Sequence, residues 1–140
     1  METYQIIDHT GEIGVLAHGT TLAQAFGEAA TGMFSFMVDL ESVDLREARQ
    51  VELEATDVGA LLVAWLNELI YIFDVEGLVF REFQVEETVG PRLKAVCRGE
   101  RLDPQRHKFS IGPKAATYHM LEVVQEAGSG GRRARVILDI

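Results

Sequence analysis

The sequence predicts a two-layer α+β domain in which two helices pack on one face of a mostly antiparallel or mixed β-sheet. Two segments place apolar residues at three- and four-residue spacing, the signature of amphipathic helices. Several others alternate apolar and polar residues with period two, the signature of strands. Those strands keep one polar face, as antiparallel sheets do, whereas buried parallel strands are apolar on both faces. With 140 residues, 47% hydrophobic and 25% charged, the chain has the size of one domain, 1–140, and an ordinary globular composition. Disordered and low-complexity classes are excluded.

Near the start, Asp8-His9-Thr10-Gly11-Glu12 reads as a tight connection between two short strands. In the second of these, Ile13, Val15 and Ala17 oppose Glu12, Gly14 and Leu16. The first helix carries Leu22, Phe26, Ala29, Ala30, Met33 and Met37, with Thr21 and Gln24 spaced as a capping box. A strand follows, Val51, Leu53 and Ala55 against Glu52 and Glu54. The second helix is the stronger one: Val58, Leu61, Leu62, Trp65, Leu69, Ile72 and Phe73 form its stripe, widened by Leu66 and Ile70. Asp57 is its expected N-cap, and Asp74-Val75-Glu76-Gly77 ends it. Alternation slips at Arg81-Glu82, between Phe80 and Phe83, where a β-bulge is expected. Leu93, Ala95 and Cys97 then oppose Lys94 and Arg98. Gly128-Ser129-Gly130-Gly131, between strand-like runs, reads as a hairpin turn. The last strand sets Ala134, Val136 and Leu138 against Arg133 and Arg135.

Composition removes several function classes. Cys97 is the only cysteine, so an intrachain disulfide and a thiolate zinc cluster are out, and the residue reads as a small buried hydrophobe. No GxSxG, GxxxxGK[ST] or GxGxxG occurs, which leaves a serine-nucleophile enzyme or a nucleotide hydrolase without support. The net charge of −9 disfavours generic nucleic-acid binding, which depends on neutralising phosphates. Basic residues do cluster, at Arg98, Arg101, Arg106, His107 and Lys108 and at Arg132, Arg133 and Arg135; a solvated face is the favoured reading. His9, His18, His107 and His119 show no metal-ligand spacing. No apolar run approaches the ~20 residues of a membrane span, and no secretory signal is visible, so the expected location is the cytoplasm, away from membranes.

One constellation remains, at the two ends of the chain. If Ala134, Val136 and Leu138 face the core, Asp139 faces the polar side, and Glu12 does so likewise. Were the first and last strands close, Glu12, Asp139 and the Ile140 carboxylate would gather hard oxygens, which suit Ca²⁺ or Mg²⁺. By spacing alone, carboxylates at strand ends are more often solvated than ligating.

The residues also resemble a known family, archease. The resemblance rests on Asp8-His9-Thr10-Gly11-Glu12-Ile13-Gly14, then Leu61-Leu62-Val63-Ala64-Trp65-Leu66-Asn67-Glu68-Leu69-Ile70-Tyr71 with Phe73-Asp74 and Glu76-Gly77-Leu78-Val79-Phe80. Gly99-Glu100, Asp103-Pro104, His107, Lys114-Ala115-Ala116-Thr117-Tyr118-His119 and Asp139-Ile140 complete it. These blocks span nearly the whole chain in the family's order. The resemblance implies an accessory protein and not a free-standing enzyme. It would activate the RtcB-type RNA ligase of tRNA splicing by promoting guanylylation and multiple turnover, and broaden the nucleotide accepted. It further implies a divalent-cation site, Ca²⁺ or Mg²⁺, formed by Glu12, Asp139 and Ile140, the last through a backbone or terminal oxygen. Here Gly11-Glu12 stands where the family usually has Ala-Asp, and the longer side chain moves the oxygens by more than about an ångström unless Gly11 lets the backbone adjust. The partner implied is the ligase, with tRNA touched only indirectly and the protein itself a monomer or weak homo-oligomer. Asp8, Lys114 and His119 sit in matched blocks without being expected ligands. The alternatives are a small stand-alone enzyme using Asp8, His9 and His119, dependent on metal or on acid–base chemistry, and a chaperone-like RNA-processing module.

Overall fold

Among the described residues seven strands form two antiparallel sheets, and both helices touch strands of each sheet. The structure, a computed structural model, describes residues 3–9, 11–86, 90–110, 112–126, 128 and 130–140, with His9 described through its backbone alone. The elements run β1 (Tyr4–His9), β2 (Glu12–Gly19), α1 (Leu22–Met37), a 3₁₀ turn (Leu40–Ser42), β3 (Glu47–Glu54), α2 (Val58–Glu76), β4 (Leu78–Val85), β5 (Arg92–Arg101), β6 (Ala115–Gln125) and β7 (Arg132–Asp139). One sheet has the order β1-β2-β7-β6, the other β3-β5-β4. The α+β class and the antiparallel pairing are those expected. The strands divide into two sheets because the helices are apolar over more than one stripe. α1 meets β1, β2 and β7 on one side and β4 on the other; α2 meets β6 as well as β3, β4 and β5.

The core lies where these layers meet. Ile13, Val15 and Ala17 of β2 join Ala134, Val136 and Leu138 of β7, and Leu93, Ala95 and Cys97 of β5, in one buried cluster with both helix stripes. Trp65 of α2 donates its indole N–H to the Phe26 carbonyl of α1 at 2.9 Å, tying the helices together. α2 has the length and hydropathy of a membrane span (mean hydropathy 1.7); here its Leu61, Leu62, Trp65, Leu66 and Leu69 are buried in the core. Cys97 is buried, and burial pushes its thiol up to about 12, so it stays protonated and unreactive.

Local signals place the element ends. Asp57 accepts from the Ala60 N–H at 2.8 Å, and Gly77 closes α2 in the left-handed conformation at φ 71°. Thr21 accepts from the Gln24 N–H at 3.1 Å, as an N-cap should. The reciprocal half of the capping box is displaced: the Gln24 carbonyl oxygen takes the N–H and the hydroxyl of Thr20. The bulge expected at Arg81-Glu82 falls between Phe80 and Glu82. The glycine turn joins β6 to β7, with Gly128 and Gly130 at φ 82° and 73°; Ser129 lies outside the described residues.

A buried polar network locks the segment after β5. Glu100 is 4% exposed. Its Oε2 accepts from the Asp44 N–H at 2.6 Å and lies 3.0 Å from His107 Nε2; its Oε1 takes Arg106 at 2.5 Å. The Asp103 N–H donates to His107 Nδ1 at 2.8 Å. The proton of the neutral ring therefore sits on Nε2, aimed at Glu100. His107, read from sequence as part of a solvated basic face, is buried, because this pairing satisfies both ring nitrogens.

Burial alone would raise the Glu100 pKa, but the Asp44 N–H, Arg106 and His107 outweigh it and hold the carboxyl at about 2. Its ordinary value is 4.5, so the folded state prefers the ionised form. The stability it contributes is complete above pH 4.5 and is lost as pH falls from there toward 2. Thermal melts across this range should show Tm dropping in that window, with the drop smaller in Glu100→Gln.

Candidate functional site

The two ends of the chain meet in the four-stranded sheet. β2 and β7 are adjacent and antiparallel, and their register sets Glu12 directly opposite Asp139. Partners in such a pair project from the same face, with Cβ atoms roughly 4.5–5.5 Å apart. Both carboxylates therefore leave the face opposite Ile13, Val136 and Leu138, which point into the core. Asp139 is exposed and Glu12 half-buried.

The main chain around them is already committed. The Lys114 N–H donates to the Asp139 carbonyl at 2.7 Å, and the Ile140 N–H donates to the Gly11 carbonyl at 3.2 Å. What Asp139 has left to offer is its side chain. Gly11 sits at φ 78°, a conformation open to glycine at little cost, and this turn brings Glu12 into register. Among the described residues, neither the Glu12 nor the Asp139 carboxylate has a hydrogen-bond or ion-pair partner. Two unneutralised carboxylates this close repel each other, and a cation between them removes the repulsion.

The oxygens that the described residues bring here suit a hard cation: carboxylate oxygens, with the Ile140 main-chain oxygen next in line. Its number is small. Among the described residues no group of three or more His, Cys, Asp or Glu side chains comes together as a metal cage. Ca²⁺ takes 6–8 oxygens, so the pair alone falls short of a cage, and an ion held there would need its other ligands from water or from another molecule.

The other candidate residues are dispersed. Asp8 pairs with Ile13, so alternation turns it away from the face of Glu12. The backbone of His9 stands opposite Glu12, and its side chain lies outside the described residues. His119 is exposed on β6, three strand positions from β1 and on the order of 14 Å across the sheet. His18 bonds Glu126 at 2.8 Å through Nδ1. The arginines are largely engaged: Arg133 and Arg135 with Glu122, Arg106 with Glu100 and Asp103, Arg101 with Glu47. The hydrogen bond from Arg133 is the main reason the Glu122 pKa lies below the usual carboxylate range.

Sequence reasoning passed over Asn67. From α2 it accepts from the Ala116 N–H at 2.7 Å and donates to the Ala116 carbonyl at 3.4 Å. Its amide thus caps the outer edge of β6 next to Ala115, which stands opposite Asp139. The visible signal was a polar residue inside an otherwise apolar helix stripe, the kind that needs a partner.

Residues 4–140 match a family described as "Archease protein family (MTH1598/TM1083)". The chain is 40% identical over 141 residues to the protein archease of Methanosarcina mazei, covering 98% of this chain and 95% of that one. It is similar to the solution structure of Methanobacterium thermoautotrophicum protein 1598, with TM-score 0.85, 35% identity and full coverage of both chains. A Thermotoga maritima archease, described as a possible chaperone, shares the fold at TM-score 0.68 and 18% identity, covering 97% of this chain and 96% of that one.

Proposed function

The chain belongs to the archease family, and from that premise we propose that it is an accessory protein without catalysis of its own. In this reading it activates an RtcB-type RNA ligase in tRNA splicing, promoting the ligase's guanylylation and repeated turnover and broadening its use of nucleotides.

The observation that carries the reading is the Glu12–Asp139 pair: solvent-facing, unneutralised by any described cation, and too small to enclose an ion alone. Such a half-site serves a protein that works against a partner's surface better than one that works by itself. Glu12, Asp139 and the Ile140 main-chain oxygen would hold Ca²⁺ or Mg²⁺. A bound divalent ion supplies charge neutralisation at phosphate oxygens. The chain's own residues hold the two carboxylates in register, through the Lys114–Asp139 and Ile140–Gly11 hydrogen bonds. An activator of this kind acts by favouring the partner conformation in which reacting groups are aligned.

Neither alternative draws support of this kind. The acid–base enzyme needs Asp8, His9 and His119 in one cleft, and the register puts β1 and β6 at opposite edges of the sheet. A general chaperone needs a broad apolar surface, whereas Ile7, Leu45, Tyr71, Val75, Phe109, Tyr118 and Met120 are spread over β1, α2, β6 and two loops.

Two measurements test the reading. Added in less than stoichiometric amount, the protein should raise RNA joined per ligase molecule well above one; no rise with a competent ligase overturns the proposal. Calorimetric titration with Ca²⁺ should give weak binding, reduced at least tenfold in Glu12→Gln. Equal binding by both proteins removes Glu12 from the site.

A further inference from the structure

The strand beside the carboxylate pair is gripped by a side chain of α2. β6 ends the strand order β1-β2-β7-β6, and three ladder positions, Ala115, Ala116 and Thr117, match it to β7 before its register breaks. Within that short run the Ala116 side chain is buried opposite Leu138, while its main-chain N–H and carbonyl both meet the Asn67 amide. The N–H donates to Asn67 Oδ1 at 2.7 Å, and Asn67 Nδ2 donates to the carbonyl at 3.4 Å. An amide held this way takes the place of a further strand and pairs groups that a sheet edge leaves open.

Asn67 is itself firmly seated. It is half-buried within α2, beside Leu66, Leu69 and Ile70, which are buried in the core. The same helix meets β6 again past the break: a Cβ built on Gly59 would stand 3.1 Å from Leu121 Cδ2. Asparagine is a weaker helix former than alanine, so this residue serves α2 less well than it serves β6.

What it holds leads to the carboxylates. Lys114, two residues before Ala116, donates its N–H to the Asp139 carbonyl at 2.7 Å, and Ala115 stands opposite Asp139. On the other side Asp139 faces Glu12, and Ile140 donates to the Gly11 carbonyl. The end of β7 is thus fixed between two neighbours, and one of them, the start of β6, takes its position from Asn67. Ca²⁺ holds its oxygens at about 2.3–2.6 Å, which leaves ligand groups a tolerance of about 0.5 Å.

We propose that Asn67 is a positioning residue for the cation site. By clamping Ala116 it sets the start of β6 and, through the Lys114–Asp139 hydrogen bond, the placement of the Asp139 carboxylate opposite Glu12. The inference rests on the reading of Glu12, Asp139 and Ile140 as a Ca²⁺ or Mg²⁺ site. Coupling between two such places is reciprocal: a clamp that favours the bound cation is itself tightened by it.

Ca²⁺ alone is the probe in both tests. In calorimetric titration Asn67→Ala should bind Ca²⁺ more weakly than the wild type by about fivefold or more. Trp65→Phe, which removes the bond from the same helix to the Phe26 carbonyl, is the control for lost stability; it should melt at lower temperature and bind Ca²⁺ like the wild type. The second test needs no variant: amide hydrogen exchange of the wild-type protein should be slow at Ala116, and slower still with Ca²⁺ added. Wild-type affinity in Asn67→Ala, an equal loss in Trp65→Phe, or Ala116 exchange indifferent to Ca²⁺ each overturns the positioning role and leaves the carboxylate site standing. No Ca²⁺ binding by the wild-type protein overturns the site, and the role of Asn67 with it.

Discussion

Asp139→Ala is expected to abolish stimulation of the ligase while leaving the fold intact. The side chain is exposed, and the strand is held by main-chain groups: the Asp139 carbonyl bonds the Lys114 N–H, and β7 keeps β2 on one side and β6 on the other. Surface substitutions of this type change stability by about 0.5 kcal/mol or less. Losing one of two carboxylates from a half-site that has few ligands removes most of its cation affinity. Maximal stimulation should therefore fall at least tenfold, with an unchanged melting curve and unchanged half-saturation. A variant that stimulates normally makes the carboxylate pair irrelevant to the activity.

The second large effect is on stability. Glu100→Ala leaves Arg106 without its buried partner and strands the His107 Nε2–H and the Asp44 N–H. Arg106 is 42% exposed and keeps Asp103, so the cost lies in the two stranded N–H donors, about 1–3 kcal/mol each where they are buried. That is a large fraction of the stability of a small domain. Chemical denaturation should show a correspondingly lower midpoint, with the surroundings of buried Trp65 reporting the transition. Glu100→Gln should lose less, since an amide oxygen in the Oε2 position still accepts two of the three hydrogen bonds, from the Asp44 N–H and His107 Nε2.

Much of this molecule is legible in the sequence. Period-two alternation located strands because each sheet has one face in the core, so Ile13, Val15 and Ala17 had to be apolar and Glu12 did not. The bulge at Phe80–Glu82 was visible as a slip in that alternation. The division into two sheets was not, since alternation records which face is buried but not which strands pair. The capping box failed in one half because Thr20 offers Gln24 both an N–H and a hydroxyl, a better site than the single N–H of Thr21. At the candidate site, alternation gave the face of Glu12 and Asp139, and the register that sets them opposite came only with the fold. Glu100, His107 and Asn67 escaped for a common reason. Each is a polar residue whose partner is distant in sequence or belongs to the main chain, and no local pattern encodes that.

The central claim is that this chain promotes another protein's chemistry and performs none alone. Transfer of labelled GMP from GTP to an RtcB-type ligase, followed with and without a substoichiometric amount of the protein, tests it most directly. The expected result is a rise in guanylylated ligase beyond the number of protein molecules added, and no label or turnover in reactions lacking the ligase. Unchanged guanylylation, or GTP consumed by the protein on its own, would contradict it.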